Sequence, residues 1–176
     1  MKAATIHEIK QELNNISPAQ LLEICLRLAK FKKDNKELLT YLLFEAHDDT
    51  GYIKSVKQFM DEQFALINKS NLYFAKKSLR KILRTTAKYI RHTGSKQAEV
   101  ELFLYFCVCV LNSGIAINES TALKNLYQAQ LKKISGVIAT LHEDLQYDYL
   151  KELDKLNYAT TPKLPGKILS LFLKKK

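Results

Sequence analysis

Apolar residues recur along this chain at intervals of three and four, and no segment alternates cleanly with period two, so the pattern predicts helices throughout. Ile6, Ile9 and Leu13 mark a short amphipathic helix from about Thr5 to Asn14. Ser17-Pro18-Ala19-Gln20 follows: a Ser N-cap, a Pro at the first helical position where no N–H is needed, and a Gln placed to close a capping box. A second helix therefore starts at Pro18, with Leu21, Leu22, Cys25, Leu28 and Ala29 as its expected inner face. It ends in Lys30-Phe31-Lys32-Lys33, cations suited to the negative end of the helix dipole. Asp34 or Asn35 is expected to cap a third helix carrying Leu38, Leu39, Leu42 and Leu43.

The polar run His47-Asp48-Asp49-Thr50-Gly51 separates the third helix from a fourth, which has Ile53, Val56, Met60, Phe64 and Ile67 along one side. Asn68-Lys69-Ser70-Asn71 ends that helix and caps a fifth, Asn71 to His92. Gly94 suits the left-handed residue that closes it, and Ser95 is the cap of a sixth. Val100 to Leu111 is apolar at every angle but one, a pattern shared by buried helices and buried strands. A lone strand would have no sheet to satisfy its backbone, so this segment is assigned as a helix at the centre of a bundle. From about Ser120 to Asn157, Leu123, Leu126, Tyr127, Leu131, Ile134, Ile138, Leu141 and Leu145 keep helical spacing, with Ser135-Gly136 as the weak point. One kinked helix or two helices would fit. Thr161 to Gly166 holds two prolines and a glycine and reads as a linker before a short apolar helix, Lys167 to Leu173.

The expectation is one all-α domain of about seven to nine helices, a bundle or a short repeat-like superhelix. Within it, short helices occupy 1–48, a long-helix core 50–157, and a linker with a last helix 161–176. Composition agrees: 176 residues with 47% hydrophobic and 26% charged content, but only five Gly and three Pro, suit long elements with few turns. The first eight residues meet charge before an apolar secretory segment can form. The apolar run Leu102 to Leu111 is about half of the ~20 residues that a membrane span needs. Cys25, Cys107 and Cys109 cannot pair completely and each lies in an apolar run, so reduced core thiols and a cytoplasmic location are expected.

Charge changes the picture at one place. The net +10 divides into −1 for residues 1–62, +9 for 63–98 and +2 for 99–176. On the fifth helix, Lys76, Lys77, Arg80, Lys81, Arg84, Lys88 and Arg91 share an arc of about 140°, and Tyr73 projects from the same side. Leu72, Leu79, Ile82, Leu83 and Ile90 occupy the opposite side. The pairs Lys76/Arg80, Lys77/Lys81, Arg80/Arg84 and Arg84/Lys88 repel at i,i+4, each costing about 0.2–0.5 kcal/mol. This face is read as solvated, as neutralised by acidic side chains such as Glu143, Asp144, Asp148 and Glu152, or as a docking face for an acidic protein or a phosphate backbone.

Other chemistry is sparse. Glu45, His47, Asp48 and Asp49 are metal-ligating types but sit where helix caps are needed, and His142, Glu143 and Asp148 lack a facing Glu-x-x-His pair. Cys107 and Cys109 point about 200° apart on a helix and cannot close on one ion. No Gly-rich phosphate cradle or nucleophile elbow occurs, so neither a catalytic residue, a metal nor a cofactor is expected. The stretches Leu13 to Leu43 and Lys88-Tyr89-Ile90-Arg91-His92-Thr93-Gly94-Ser95-Lys96 through Cys107 resemble those of uncharacterised all-helical bacterial proteins of unknown function. That resemblance implies a helical fold and transfers no activity. The expected role is non-catalytic interaction or scaffolding through the basic face, with sequence-nonspecific nucleic-acid binding as the alternative; the oligomeric state stays open.

Overall fold

A computed structural model describes residues 2–159, and every regular element among them is helical, with eight α-helices and no strand. The chain divides into two units, one ending at His47 and the other beginning at Asp48. The expected linker and helix over 161–176 lie outside the described residues.

The first unit holds α1 (Ile6–Asn15), α2 (Pro18–Phe31), α3 (Lys33–Thr40) and a π-helical turn, Tyr41–Glu45. Both early N-termini close capping boxes. Thr5 Oγ1 accepts from the Glu8 N–H at 3.3 Å while Glu8 accepts from the Thr5 N–H at 2.6 Å. These bonds to Thr5 hold the Glu8 carboxyl below the usual range. Ser17 and Gln20 repeat the arrangement at 3.3 and 2.9 Å. The third helix departs from expectation: it starts at Lys33, its N-cap Lys32 makes no side-chain capping bond, and the Asn35 side chain donates instead to the Leu28 carbonyl at 2.9 Å.

The larger correction concerns burial. Leu21, Leu22 and Leu28, expected to face inward, remain 41%, 60% and 54% exposed, and Tyr41 is the one described residue of this unit that is buried. The geometry explains it. The apolar residues of α2 spread over an arc of about 220°, far wider than a single neighbouring helix covers. Here α3 packs on α2, with Cys25 and Ala29 only half-buried.

The second unit holds α4 (Asp49–Ala65), α5 (Leu72–Thr93), α6 (Lys96–Asn112), a 3₁₀ turn (Ile117–Glu119), α7 (Thr121–Ile138) and α8 (Glu143–Ala159). Helix α6 is central and packs against α4, α5, α7 and α8. Its Val100, Leu102, Phe103, Leu104, Phe106, Cys107 and Val110 are buried, joined by Met60, Leu79, Leu123, Tyr127, Ile134 and Leu156 from the surrounding helices. Capping fixes the boundaries. Asp48 accepts from the Gly51 N–H at 2.8 Å, Asn71 from Tyr73 and Phe74, and Ser95 from Ala98. Gly94 closes α5 in the left-handed region at φ 63°, its N–H bonded to the Ile90 carbonyl.

Two further expectations shift. On α4 it is Tyr52, not Ile53, that is buried, with its hydroxyl 3.4 Å from the Tyr89 carbonyl and 3.3 Å from His92 Nδ1. The 120–157 stretch is two helices, and the break falls at Ala139–His142 rather than at Gly136. Gly136 continues α7 because the buried Ile134 and Ile138 on either side outweigh its cost of about 1 kcal/mol. Short bonds from Thr140 N to Val137 O and from Leu141 N to Ile138 O then close the helix.

Candidate functional site

On α5 the buried positions are Ala75, Leu79, Ile82, Thr86 and Ile90, a row at helical spacing. The helix packs through α4 and α6, so its opposite side faces solvent. On that side Lys77, Arg80, Lys81, Arg84 and Arg91 are exposed, and Lys76 and Lys88 are half-exposed. Tyr73 is 66% exposed and Phe74 51%; their rings meet edge-on at 5.5 Å, and Lys76 Nζ lies 6.0 Å from the Tyr73 ring.

Among the described residues, none of Lys77, Arg80, Lys81, Arg84 and Arg91 has a carboxylate oxygen within 4.0 Å. Lysines elsewhere in this unit do: Lys57 pairs with Glu101, and Lys96 and Lys133 both reach Glu99 at 3.2 Å. Neutralisation by Glu143, Asp144, Asp148 and Glu152 does not account for the five exposed cations. Those carboxylates sit on α8, which packs on α6 and α7, and Asp144 lies beside His142 at 3.5 Å. Between α5 and α7 runs an open groove. Arg80, Leu83 and Arg84 line one wall, and Ala122, Asn125, Leu126, Ala129 and Gln130 the other. Two arginines thus share the groove with the apolar side chains of Leu83, Ala122, Leu126 and Ala129, a combination suited to planar anions carried on an apolar backbone.

A second feature was not foreseen. A cleft of about 890 Å³ opens between α4, α6 and α8. On its wall the Asp61 carboxylate accepts from the Tyr105 hydroxyl at 2.7 and 2.8 Å, and the Cys109 Sγ lies 3.7 Å from Asp61 Oδ1. Lys57 bonds Glu101 and sits 5.4 Å from the Tyr105 ring. Cys109 is therefore half-exposed beside a carboxylate rather than a core residue, which corrects its expected placement; Cys107 is buried as expected. Burial first, then the Asp61 charge and hydrogen bond, push the Cys109 thiol up to about 12, and burial raises Cys107 further. Neither thiol ionises at neutral pH. The cleft's cations Lys57, Lys69 and Lys155 are matched in number by Asp61, Glu101 and Glu152, so it selects no sign of ligand charge.

The signal for this cleft was present as a polar stripe. Glu101, Tyr105, Cys109 and Asn112 recur at spacings of four, four and three along the otherwise apolar α6. Among the described residues no group of three or more His, Cys, Asp or Glu is arranged to hold a metal ion, and no helix is long and apolar enough to cross a membrane. In comparisons with known proteins, no family model, no curated protein and no solved structure matches this chain.

Proposed function

We propose that the protein is a non-catalytic helical adaptor that docks an anionic partner on the cationic side of α5, through Lys77, Arg80, Lys81, Arg84 and Arg91. One observation carries this reading: five exposed cations on one face have no carboxylate within ion-pair distance among the described residues. The three like-charge i,i+4 pairs among Lys76, Lys77, Arg80, Lys81 and Arg84 together cost about 0.6–1.5 kcal/mol, and an anionic partner would relieve that repulsion. The groove beside Arg80 and Arg84 favours an acidic helix, whose carboxylates would meet the guanidinium groups while its apolar residues cover Leu83 and Leu126. The suppressed Cys109 thiol and the charge-balanced cleft are in keeping with a role without chemistry. Free cysteines suit a cytoplasmic location.

The exposed Tyr73 and Phe74 favour a second reading, a phosphate backbone tracked by the cations with a base stacked on an aromatic ring. Both readings are tested by titrating labelled acidic helical peptides and labelled oligonucleotides against the protein and its Lys77→Glu/Arg80→Glu/Arg84→Glu variant at several salt concentrations. Five phosphate contacts predict a roughly 500-fold loss of oligonucleotide affinity between about 50 and 200 mM salt, and two contacts a loss of only about 12-fold. Tight peptide binding abolished by the variant supports the adaptor reading. Binding of neither probe at low salt, or binding that the variant leaves intact, would sink both.

A further inference from the structure

Helices α5 and α7 both pack on α6 and scarcely touch each other, so the space between them stays open. It holds two hollows of about 640 and 390 Å³. The first is the groove that Arg80 and Arg84 line. The second takes Ala87 and Arg91 from α5, Lys133 from α7, and Lys96, Glu99 and Phe103 from the start of α6. Lining positions on the two helices advance in step: Arg80, Arg84, Ala87 and Arg91 are matched, at one constant offset, by Ala122, Leu126, Ala129 and Lys133. The helices therefore run in the same direction, and the hollows lie end to end as one furrow, about 17 Å long from Arg80 to Arg91. Its charge is one-sided, with five cations and one carboxylate along its walls. At the far end Arg91 has no carboxylate oxygen within 4.0 Å among the described residues. Glu99, its side chain only 13% exposed, holds both Lys96 and Lys133 at 3.2 Å. Lys133 Nζ also lies 4.2 Å from the centre of the Phe103 ring, so ring and carboxylate together fix this ammonium at the end of the furrow.

We propose that this furrow, rather than the open side of α5 alone, is the docking site, and that its occupant is one amphipathic acidic helix of about three turns from a protein partner. The inference rests on the docking reading above and narrows it. Charge complementarity selects the occupant: five cations against one carboxylate disfavour a basic helix and draw an acidic one. The cations stand toward the two ends, with Leu83, Ala87, Leu126 and Ala129 between them, which fits carboxylates near both ends of the partner helix and apolar residues along its middle. Small side chains at Ala87, Ala122 and Ala129 let a helix approach closely. Lys77 and Lys81 do not line the furrow, whereas a phosphate backbone tracking the exposed arc of α5 would use them equally. Lys96 and Lys133 thereby become specificity-determining residues supplied by helices other than α5, and Glu99 is the positioning residue that holds them.

The test uses two labelled peptides of about 14 residues and identical composition, titrated against the full chain by fluorescence anisotropy at about 150 mM salt. One carries leucines along a single helical face flanked by glutamates; the other has the same residues rearranged so that no apolar face forms. The amphipathic peptide should bind at least about tenfold more tightly than its isomer. Arg91→Glu/Lys133→Gln should weaken that binding by about tenfold or more, and Lys77→Glu/Lys81→Glu, off the furrow and screened by salt, by no more than about threefold. Ala129→Trp, at an exposed position, fills the furrow without changing the charge and should also weaken binding by about tenfold. Far-UV circular dichroism confirms that each variant is folded. Equal binding of the two peptides overturns the furrow and leaves docking on α5 standing. So does a loss confined to Lys77→Glu/Lys81→Glu, with Arg91→Glu/Lys133→Gln and Ala129→Trp unchanged. A labelled oligonucleotide bound where neither peptide binds assigns the cations to a phosphate backbone and overturns the acidic helix. Binding of no probe overturns the docking reading as well.

Discussion

Thr86 offers a direct measure of what an unmade hydrogen bond costs in this core. It lies between Ile82 and Ile90 in the buried row of α5, is 0% exposed, and its hydroxyl has no hydrogen-bond partner among the described residues. A buried hydroxyl without a partner forfeits about 1–3 kcal/mol of hydration. Thr86→Val keeps the shape, changes helix propensity little and replaces the oxygen with a methyl group that α4 and α6 can pack against. The expected gain is about 1–2 kcal/mol, which for a unit of this size raises Tm by about 4–8 °C. Urea denaturation followed by far-UV circular dichroism should show the midpoint moving up at unchanged slope. Thr86→Ser, which keeps the hydroxyl and loses the methyl, should cost about 1 kcal/mol. If Thr86→Val destabilises by more than about 0.5 kcal/mol, the hydroxyl is bonded in solution, and the reasoning fails.

Gly94→Ala tests the α5 terminus: a side chain there meets no atom within 4 Å, so only the positive φ of 63° opposes it, and the expected loss is about 1–2 kcal/mol, with Gly94→Asn losing less. Stability should also fall at alkaline pH. In the unfolded chain the Cys109 thiol releases its proton near the ordinary value of 9, whereas the fold holds it until about 12, so above pH 9 the unfolded state binds fewer protons. The contribution is complete below pH 9 and is lost as the pH rises through 12. Cys109→Ala should make the decline between those values shallower, and unchanged steepness in urea midpoints measured across that range would refute the assignment.

The features that were legible in advance are those written in neighbouring residues. Ser17 with Gln20, Asn71, Gly94 and Ser95 each act within four positions of themselves, and each does in the structure what its local chemistry requires. The apolar α6 was legible because a helix apolar at every angle but one narrow stripe has little but the centre to occupy. The apolar residues of α2 were visible as a stripe, but periodicity reports that a face is apolar and says nothing about what covers it. The stripe was therefore read as an inner face. Asp61 was illegible as a neighbour of Tyr105 and Cys109 because their encounter depends on how α4 lies along α6, more than 40 residues away. The cations of α5 could be placed on one arc from spacing alone. Their distance from the carboxylates of α8 required knowing that α8 turns back against α6 and α7.

The central position of α6 also orders events in time. Its apolar girdle is completed by α8, which is synthesised last among the described elements, so a chain emerging from the ribosome has made its most water-averse helix some forty residues before the last wall that shelters it. During that interval Leu104 and its neighbours face solvent or whatever else will cover them. The same arrangement that makes α6 the anchor of the finished unit leaves it dependent on α7 and α8, which are made after it.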